Sequence, residues 1–217
     1  NTIIELKGPA KDFPFVDIKN TPDVNKGIFT VESTITESFI EYGKGWPELN
    51  NFDFKININN NNIKFESIKG DLLNNKIKHM VATIFPSNIK EPIMEIDLIL
   101  DSPIPNIINA INKSPIKKVM KGIFDEMEGE GPGQLSVQLK IPLKDEDNIS
   151  FNGTYAFQDS YLINNVLGMP KVNNIIGDLE FNQDTIKINK VKASLSGSPI
   201  IITLNNIEDV TKINIDG

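Results

Sequence analysis

Most of the 217-residue chain alternates between apolar and polar positions with a period of two. This alternation places apolar side chains on one face of a β-strand and polar side chains on the other. Short turns rich in Asn and Asp separate the alternating runs, as at residues 59–62, 144–148 and 182–185. The pattern therefore predicts an antiparallel meander of strands that are each apolar on one side.

One long stretch of this pattern occurs twice. Residues 45–77 and 168–200 align without a gap at a constant offset of 123 residues. In both copies the alternation breaks at the same place, at Lys69–Asp71 and at Lys192–Ser194. A break in an otherwise regular strand predicts a bulge or bend, which would curve the sheet. The repeat favours one continuous, elongated unit over two independent domains.

One segment follows a helical spacing instead. Apolar residues between Ile104 and Met127 recur every three or four positions, with Ser114 and Pro115 suited to start a second helix. The glycine-rich run at residues 129–133 ends this segment. We predict a helical insert at about residues 104–128, a hairpin whose apolar stripe covers part of the sheet or the open side of a cavity. The insert separates a first β-repeat, residues 1–103, from a second and incomplete one, residues 129–217.

The predicted sheet has an apolar face that must be covered. If the sheet folds onto itself, the chain is a closed β-sandwich or flattened barrel with a filled core. If the sheet curls without closing, its inside is a groove that suits an apolar ligand, because burying apolar area gains roughly 25 cal/mol per Å². The alternation alone leaves both arrangements open.

Composition narrows the possible functions. The net charge of −7, without a basic cluster, argues against a nucleic-acid partner. The chain has no Cys, which excludes disulfides and thiolate metal sites, and all its basic residues are Lys. No apolar tract approaches the 18 residues of a membrane span. Because both ends fall within strand-like runs, we expect one continuous segment of a longer protein, with any targeting or anchoring segment outside it.

The sequence gives little support for a catalytic site or a metal site. His79 is the only histidine, and no nucleophile motif lies near it. Acidic residues cluster at 125–130 and 145–147, in positions typical of solvated loops. The glycine-rich run follows a helix and precedes a strand, the reverse of the dinucleotide-binding order, so its glycines and Pro132 serve backbone geometry. We therefore predict no enzyme, no cofactor and no metal, and a hydrolase ranks last.

Several motifs resemble those of a known family. The stretch "INKSPIKKVMKGIFDEMEGEGPGQLSVQLKIPL" (111–143) is followed by "NISFNGTYAFQDSYLI" (148–163), and the two repeat segments with the pattern G-x-P-x-x-N-N, at 45–51 and 168–174, belong to the same set. This ordered set resembles the AsmA-like proteins, most closely their YhdP branch, over about residues 28–206. The matching positions are Ser114 and Pro115, Gly129–Gly133, Leu135–Pro142, Gly153–Phe157 and Gly177–Phe181.

The resemblance implies a fold and a function. The fold is a mainly β, curved antiparallel groove, repeating and taco-like. The function is phospholipid transport between the inner and outer membranes of double-membraned bacteria, through the periplasmic segment of a protein anchored in the inner membrane. Phospholipid acyl chains are then the partner, and both membranes are reached through parts outside this segment. The alternative is a structural or interaction β-sandwich module of an envelope protein.

The same reasoning predicts the lipid-binding residues. Lysines near the mouth, such as Lys55 and Lys187, are candidates for head-group contact, although a solvated outer face suits them better. The predicted lining of the groove is Phe54, Ile56, Ile58, Phe65, Ile96, Leu98, Val137, Leu139, Phe151, Tyr155, Leu179, Phe181 and Ile188.

Overall fold

The structure is a computed structural model. It describes residues 1–17, 19, 21–41, 45–85, 92–114, 117, 125–144, 148–164, 169–207 and 210–217. Within these ranges the chain is mainly β, and no helix is long and apolar enough to span a membrane. The strands are β1 (Thr2–Lys7), β2 (Ile28–Ile40), β3 (Leu49–Asn59), β4 (Asn62–Leu72), β5 (Asn75–Phe85), β6 (Ile93–Asp101), β7 (Met127–Glu130), β8 (Gly133–Pro142), β9 (Ser150–Asn164), β10 (Met169–Asn182), β11 (Ile186–Leu195), β12 (Ser198–Ile207) and β13 (Val210–Asp216).

The described strands form one antiparallel sheet. Each strand from β1 to β6 pairs with the next along the chain, β6 pairs with β8, and the series continues in order to β13. Strand β7 lies off this path and pairs with the end of β9, beside β8. β1 and β13 are the two edges, so the sheet is open. The prediction of a mainly β, antiparallel, repeating sheet is confirmed.

The backbone irregularities recur at the offset seen in the sequence. Asn51 and Asn174, which are 123 residues apart, both have a positive φ, at 49° and 51°. Two further equivalent pairs form the hairpin turns between β4 and β5 and between β11 and β12. These turns consist of Leu73 and Asn74, at 47° and 64°, and of Ser196 and Gly197, at 51° and 86°. Two consecutive positive φ angles are typical of a type I′ turn, which suits a two-residue hairpin.

The predicted bend is also present twice. The β3–β4 register shifts beside Asp53, which pairs with Lys69. The β10–β11 register shifts beside Ile176, which pairs with Lys192. The breaks in the alternation therefore mark real bulges, as the sequence predicts. The division of the chain into repeats at 103 and 129 stays a prediction.

The helical insert was predicted to reach about residue 128, but among the described residues it ends before Met127. Helix α1 spans Ile104–Asn112, whereas the predicted second helix falls mostly outside the described residues. Met127 and Glu128 were predicted to be helical but lie in β7, where they pair with Asn164 and Ile163 of β9. The prediction was wrong there because pairing with the end of β9 decides the conformation of a segment whose apolar spacing is compatible with either period.

The glycine-rich run carries the chain from β7 to β8 along the same edge of β9. Gly131 has a φ of +120°, and an added Cβ would lie 2.6 Å from the Cα of Ser160. An added Cβ on Gly133 would overlap the hydroxyl of Tyr155. Glycine is thus required by geometry at both positions, as the sequence predicts.

The N-terminal segment packs against the end of the β3–β4 hairpin. Phe15 is 1% exposed and forms an edge-on contact with Phe13, which in turn contacts Phe29. The buried side chain of Asn60 connects these elements, because its amide donates to the Phe15 carbonyl at 3.0 Å and its oxygen accepts from the Phe29 amide at 2.8 Å. This turn residue therefore holds the loop around Phe15 against the sheet, in addition to the pairing of β1 with β2.

Candidate functional site

The register aligns apolar side chains into continuous rows that cross the strands. One row begins at the β1 edge, and every member pairs with the next. Because strand neighbours in register lie on the same face of a sheet, these side chains form one apolar band. Its members are Ile4, Val31, Ile58, Ile63, Ile84, Met94 and Ile141.

A second row continues the band toward the other edge. It starts in β6 and reaches β12, again with one apolar or aromatic residue on each strand along the path. The two rows overlap at β6 and β8, so the apolar face extends without interruption across both copies of the repeat. The members of the second row are Leu100, Leu135, Tyr155, Leu179, Ile188 and Leu204.

This face curves around an open cavity of about 560 Å³. Residues from every strand between β2 and β13, together with α1, line it. No charged side chain is among the described lining residues, and the polar ones are Ser114, Tyr155 and Asn164. Ligand pockets in proteins usually measure roughly 300–1,000 Å³, so the space is of the size that holds a ligand. Its surface offers burial of hydrocarbon and almost no acid or base chemistry.

Ten of the thirteen predicted lipid-binding residues line this cavity. They come from β4, β6, β8, β9, β10 and β11, so the structure brings together residues up to 123 positions apart. Whether lipid touches them stays a prediction. The ten are Phe65, Ile96, Leu98, Val137, Leu139, Phe151, Tyr155, Leu179, Phe181 and Ile188.

The other three predicted residues, Phe54, Ile56 and Ile58, lie on the same face of β3 but do not line the cavity. Phe54 is buried between the rings of Phe52, at 5.1 Å, and Phe65, at 5.8 Å. Alternation identifies which face a residue occupies, but packing against a neighbouring ring decides whether it reaches the open space.

Helix α1 contributes lining residues that were not among the predicted set. Ile104, Ile107, Ile108 and Ile111 all line the cavity. Their helical spacing predicts an apolar stripe that covers part of the sheet or the open side of a cavity, and α1 lies in such a position. The helix thus forms part of the groove wall.

Buried polar bonds hold the start of α1 against the sheet. The Tyr155 hydroxyl donates to the Ser102 carbonyl at 2.7 Å, and the Ser102 hydroxyl donates to Asn75 Oδ1 at 2.5 Å. Asn75 and Ser102 are fully buried. Burial raises the pKa of Tyr155 well above its ordinary value, so the hydroxyl stays a neutral donor.

Among the described residues, the charged side chains that neighbour the apolar rows along the strands lie on the outer face of the sheet, away from the cavity. Lys140 pairs with Glu95 at 2.8 Å across β8 and β6. The Lys64 ammonium, by hydrogen bonding, lowers the pKa of Glu66. Lys55 and Lys187 are exposed and pair in register with Glu66 and Glu180. Both lysines therefore lie on the solvated outer face, the position the sequence favoured.

A family model described as YhdP protein matches residues 1–217, which is the whole chain. No curated protein and no solved structure matches it.

Proposed function

The chain belongs to the YhdP protein family, and on that premise we propose that it carries phospholipids between the inner and outer membranes. Acyl chains lie in the apolar groove, and no covalent step is involved. Head groups stay outside, because the described lining residues include no charged side chain to receive them. The segment itself lies in the periplasm, and parts of the protein outside it reach the two membranes.

The observation that carries this proposal is the continuity of the apolar rows. A pocket for one ligand is bounded on all sides, whereas a conduit needs the same surface on each successive strand. Twelve strands in series, about 4.8 Å apart, extend roughly 50 Å along the sheet. The hydrocarbon of one membrane leaflet is only about 15 Å thick. The apolar face is therefore long enough for a lipid to move along it.

The energetics also favour movement over tight binding. Each methylene removed from water gains about 0.8 kcal/mol, so ten methylenes in the groove are worth about 8 kcal/mol relative to water. A lipid leaving a bilayer loses a similar amount, so the exchange between membrane and groove is nearly balanced. Without specific polar contacts, each position along the rows has a similar free energy, and a lipid can pass from one strand to the next.

Lipid occupancy tests the proposal. The purified chain is incubated with phosphatidylethanolamine and phosphatidylglycerol vesicles, re-isolated and examined by native mass spectrometry and by extraction. We expect bound phospholipid of both head-group types, and displacement of a fluorescent fatty acid from the groove. A folded protein that retains no lipid and binds no fluorescent fatty acid would refute the proposal and favour the structural β-sandwich module.

A further inference from the structure

The outer face of the sheet carries a second cavity, which the proposed lipid transport does not use. This outer cleft is open, measures about 480 Å³ and lies across β5, β6, β8, β9, β10 and β11. Its lining differs from that of the groove, because hydroxyl, amide and charged side chains meet in it. The outer cleft therefore suits a polar ligand and offers little to hydrocarbon.

Two neighbouring rows of side chains form the outer cleft. Within each row the members pair in register from strand to strand, and the rows lie two positions apart along each strand, so both are on one face. The first row is Asp97, Gln138, Asn152 and Asn182. The second row is Ile99, Ser136, Thr154, Glu180 and Lys187. The outer cleft therefore runs across the strands.

The shape of the outer cleft favours a linear ligand. Its centre consists of the short side chains of Ser136 and Thr154, whereas longer side chains, Ile99 and Lys187, stand at its two ends. From β6 to β11 the path has four strand spacings of about 4.8 Å, or roughly 19 Å in all. The two rows are only about 7 Å apart along the strands. A long and narrow site of this kind fits an extended chain better than a compact molecule.

The chemistry of the outer cleft favours a neutral ligand rich in hydroxyl groups. Hydroxyl and amide side chains can both donate and accept hydrogen bonds, as sugar hydroxyls do. The Gln138 amide donates to the Asp97 carboxylate at 2.8 Å, and Asn182 Oδ1 accepts from the Thr185 amide at 2.7 Å. These side chains are thus held in place before a ligand arrives, which lowers the cost of binding. The carboxylates of Asp97 and Glu180 would repel an anion.

We propose that the outer cleft binds a linear, neutral β-1,4-linked glycan, namely the cell-wall glycan between the two membranes. The wall as the source rests on the proposed periplasmic location, whereas the glycan site rests on the outer cleft alone. In such a glycan each sugar advances the chain by about 5 Å, close to the spacing of about 4.8 Å between neighbouring strands. Successive sugars therefore meet polar side chains on successive strands. The glycan holds the segment in the wall, and the groove on the opposite face stays free for lipid.

Titration with tetra-N-acetylchitotetraose, a soluble β-1,4-linked glycan, tests the site by nitrogen–proton correlation NMR. We expect saturable shifts of the backbone and side-chain amide signals of Gln138 and Asn152, with a Kd of about 0.1–1 mM. Maltotetraose, whose α-1,4 linkages coil the chain, is the matched control sugar and should bind at least about 10-fold more weakly. The proposal is overturned if no shifts appear up to about 10 mM, if the shifts lie in the groove, or if both sugars bind equally.

Substitutions at exposed positions locate the site. Gln138→Ala removes an amide from the first row and should weaken binding of the tetrasaccharide by about 5- to 10-fold. Gln158→Ala, on the same face of β9 but outside the outer cleft, is the matched control and should bind like wild type. Ser136→Ile fills the centre with a side chain that suits a strand, and should weaken binding by at least about 10-fold. Wild-type affinity in either cleft variant would place the glycan elsewhere and overturn the site.

Co-sedimentation with purified, protein-free cell-wall sacculi tests the source of the glycan. We expect the wild type and Gln158→Ala to sediment with the sacculi, and Ser136→Ile to stay in solution. If the tetrasaccharide binds but the wild type does not sediment, the wall as the ligand is overturned. Lipid occupancy of the groove is measured on the same variants and should not change. If the wild type binds glycan but no lipid, the proposed function fails and the glycan site stands.

Discussion

A single carboxylate in the groove should make lipid binding depend on pH. Ile188 lies in β11 between Leu179 and Leu204, is half-buried and lines the cavity. The substitution Ile188→Asp removes an apolar side chain and puts a carboxyl group where we propose that an acyl chain lies. Hydrocarbon cannot solvate a charge, so the bound state requires the neutral carboxylic acid.

The size of the effect follows from the cost of that protonation. An Asp carboxyl has an ordinary pKa of about 3.9, and each pKa unit corresponds to 1.36 kcal/mol. Protonating it at pH 7 costs about 4 kcal/mol, and this cost is the upper limit on the binding free energy lost. The affinity for lipid should therefore fall by up to about 1,000-fold. Bound lipid raises the pKa of the new carboxyl, so the affinity lost at pH 7 returns as the pH falls toward 4.

The assay is titration with a fluorescent phosphatidylcholine, whose head group does not titrate between pH 4 and 8. Wild type and Ile188→Asn should bind with little dependence on pH over that range. Asn205→Asp places the same carboxylate on the outer face of the neighbouring strand, opposite Lys187, and should bind like wild type. Ile188→Asp should remain folded, with a loss of about 1–2 kcal/mol, because its position is not fully buried. If the variant unfolds, or binds with the wild-type affinity at pH 7, the groove is not the lipid site.

Three further predictions concern the framework that shapes the groove. Gly133→Ala forces its Cβ into the Tyr155 hydroxyl and should lower the free energy of unfolding by about 2–4 kcal/mol, measured by urea titration, whereas an unchanged midpoint would contradict the close contact. Asn60→Ala removes two hydrogen bonds of a buried side chain and should cost about 2–3 kcal/mol in the same assay; a loss below about 0.5 kcal/mol would mean that other contacts fix the N-terminal segment. A hydrogen bond from the Glu37 amide lowers the pKa of Asp53, so the carboxylate contributes stability above its ordinary pKa and loses that contribution as the pH falls through the lowered value. Asp53→Asn should therefore lose less stability than wild type between pH 5 and 2, and parallel curves would contradict this assignment.

The sheet could be predicted from the sequence because its signal is local and repeated. A period of two fixes which side chains share a face, and that face is the one on which Phe65, Leu139 and Leu179 are brought together. The offset of 123 residues indicated where the bulges recur. The alternation and the bulges both depend on neighbours within a strand or hairpin. They can therefore be predicted without knowing which residues far apart in the sequence are in contact.

The position of the helix could not be predicted in this way. Three bonded residues, Asn75, Ser102 and Tyr155, fix the start of α1 and lie on different elements, up to 80 positions apart. The apolar spacing predicts a stripe that covers either part of the sheet or the open side of a cavity, and it does not choose between the two. Similarly, Met127 fits a helical period and a strand period, and only its pairing with β9 decides between them.

The paired bulges explain how a sheet can bend and keep one apolar face. In the first repeat, β3 gains one residue between Asn50 and Asp53, and β4 gains one between Ser67 and Lys69. On a regular strand, residues three positions apart lie on opposite faces, but the extra residue in β3 lets Leu49 and Phe52 both line the cavity. Two extra residues on neighbouring strands cancel, so the register beyond the bend returns and Ile56 still faces Phe65. The second repeat has the same cancelling shifts, with Leu179 facing Ile188 in the equivalent place. The sheet can therefore bend at the bulges without interrupting the apolar face. The same pair of bulges occurs in both repeats and keeps the concave face apolar from one repeat into the next.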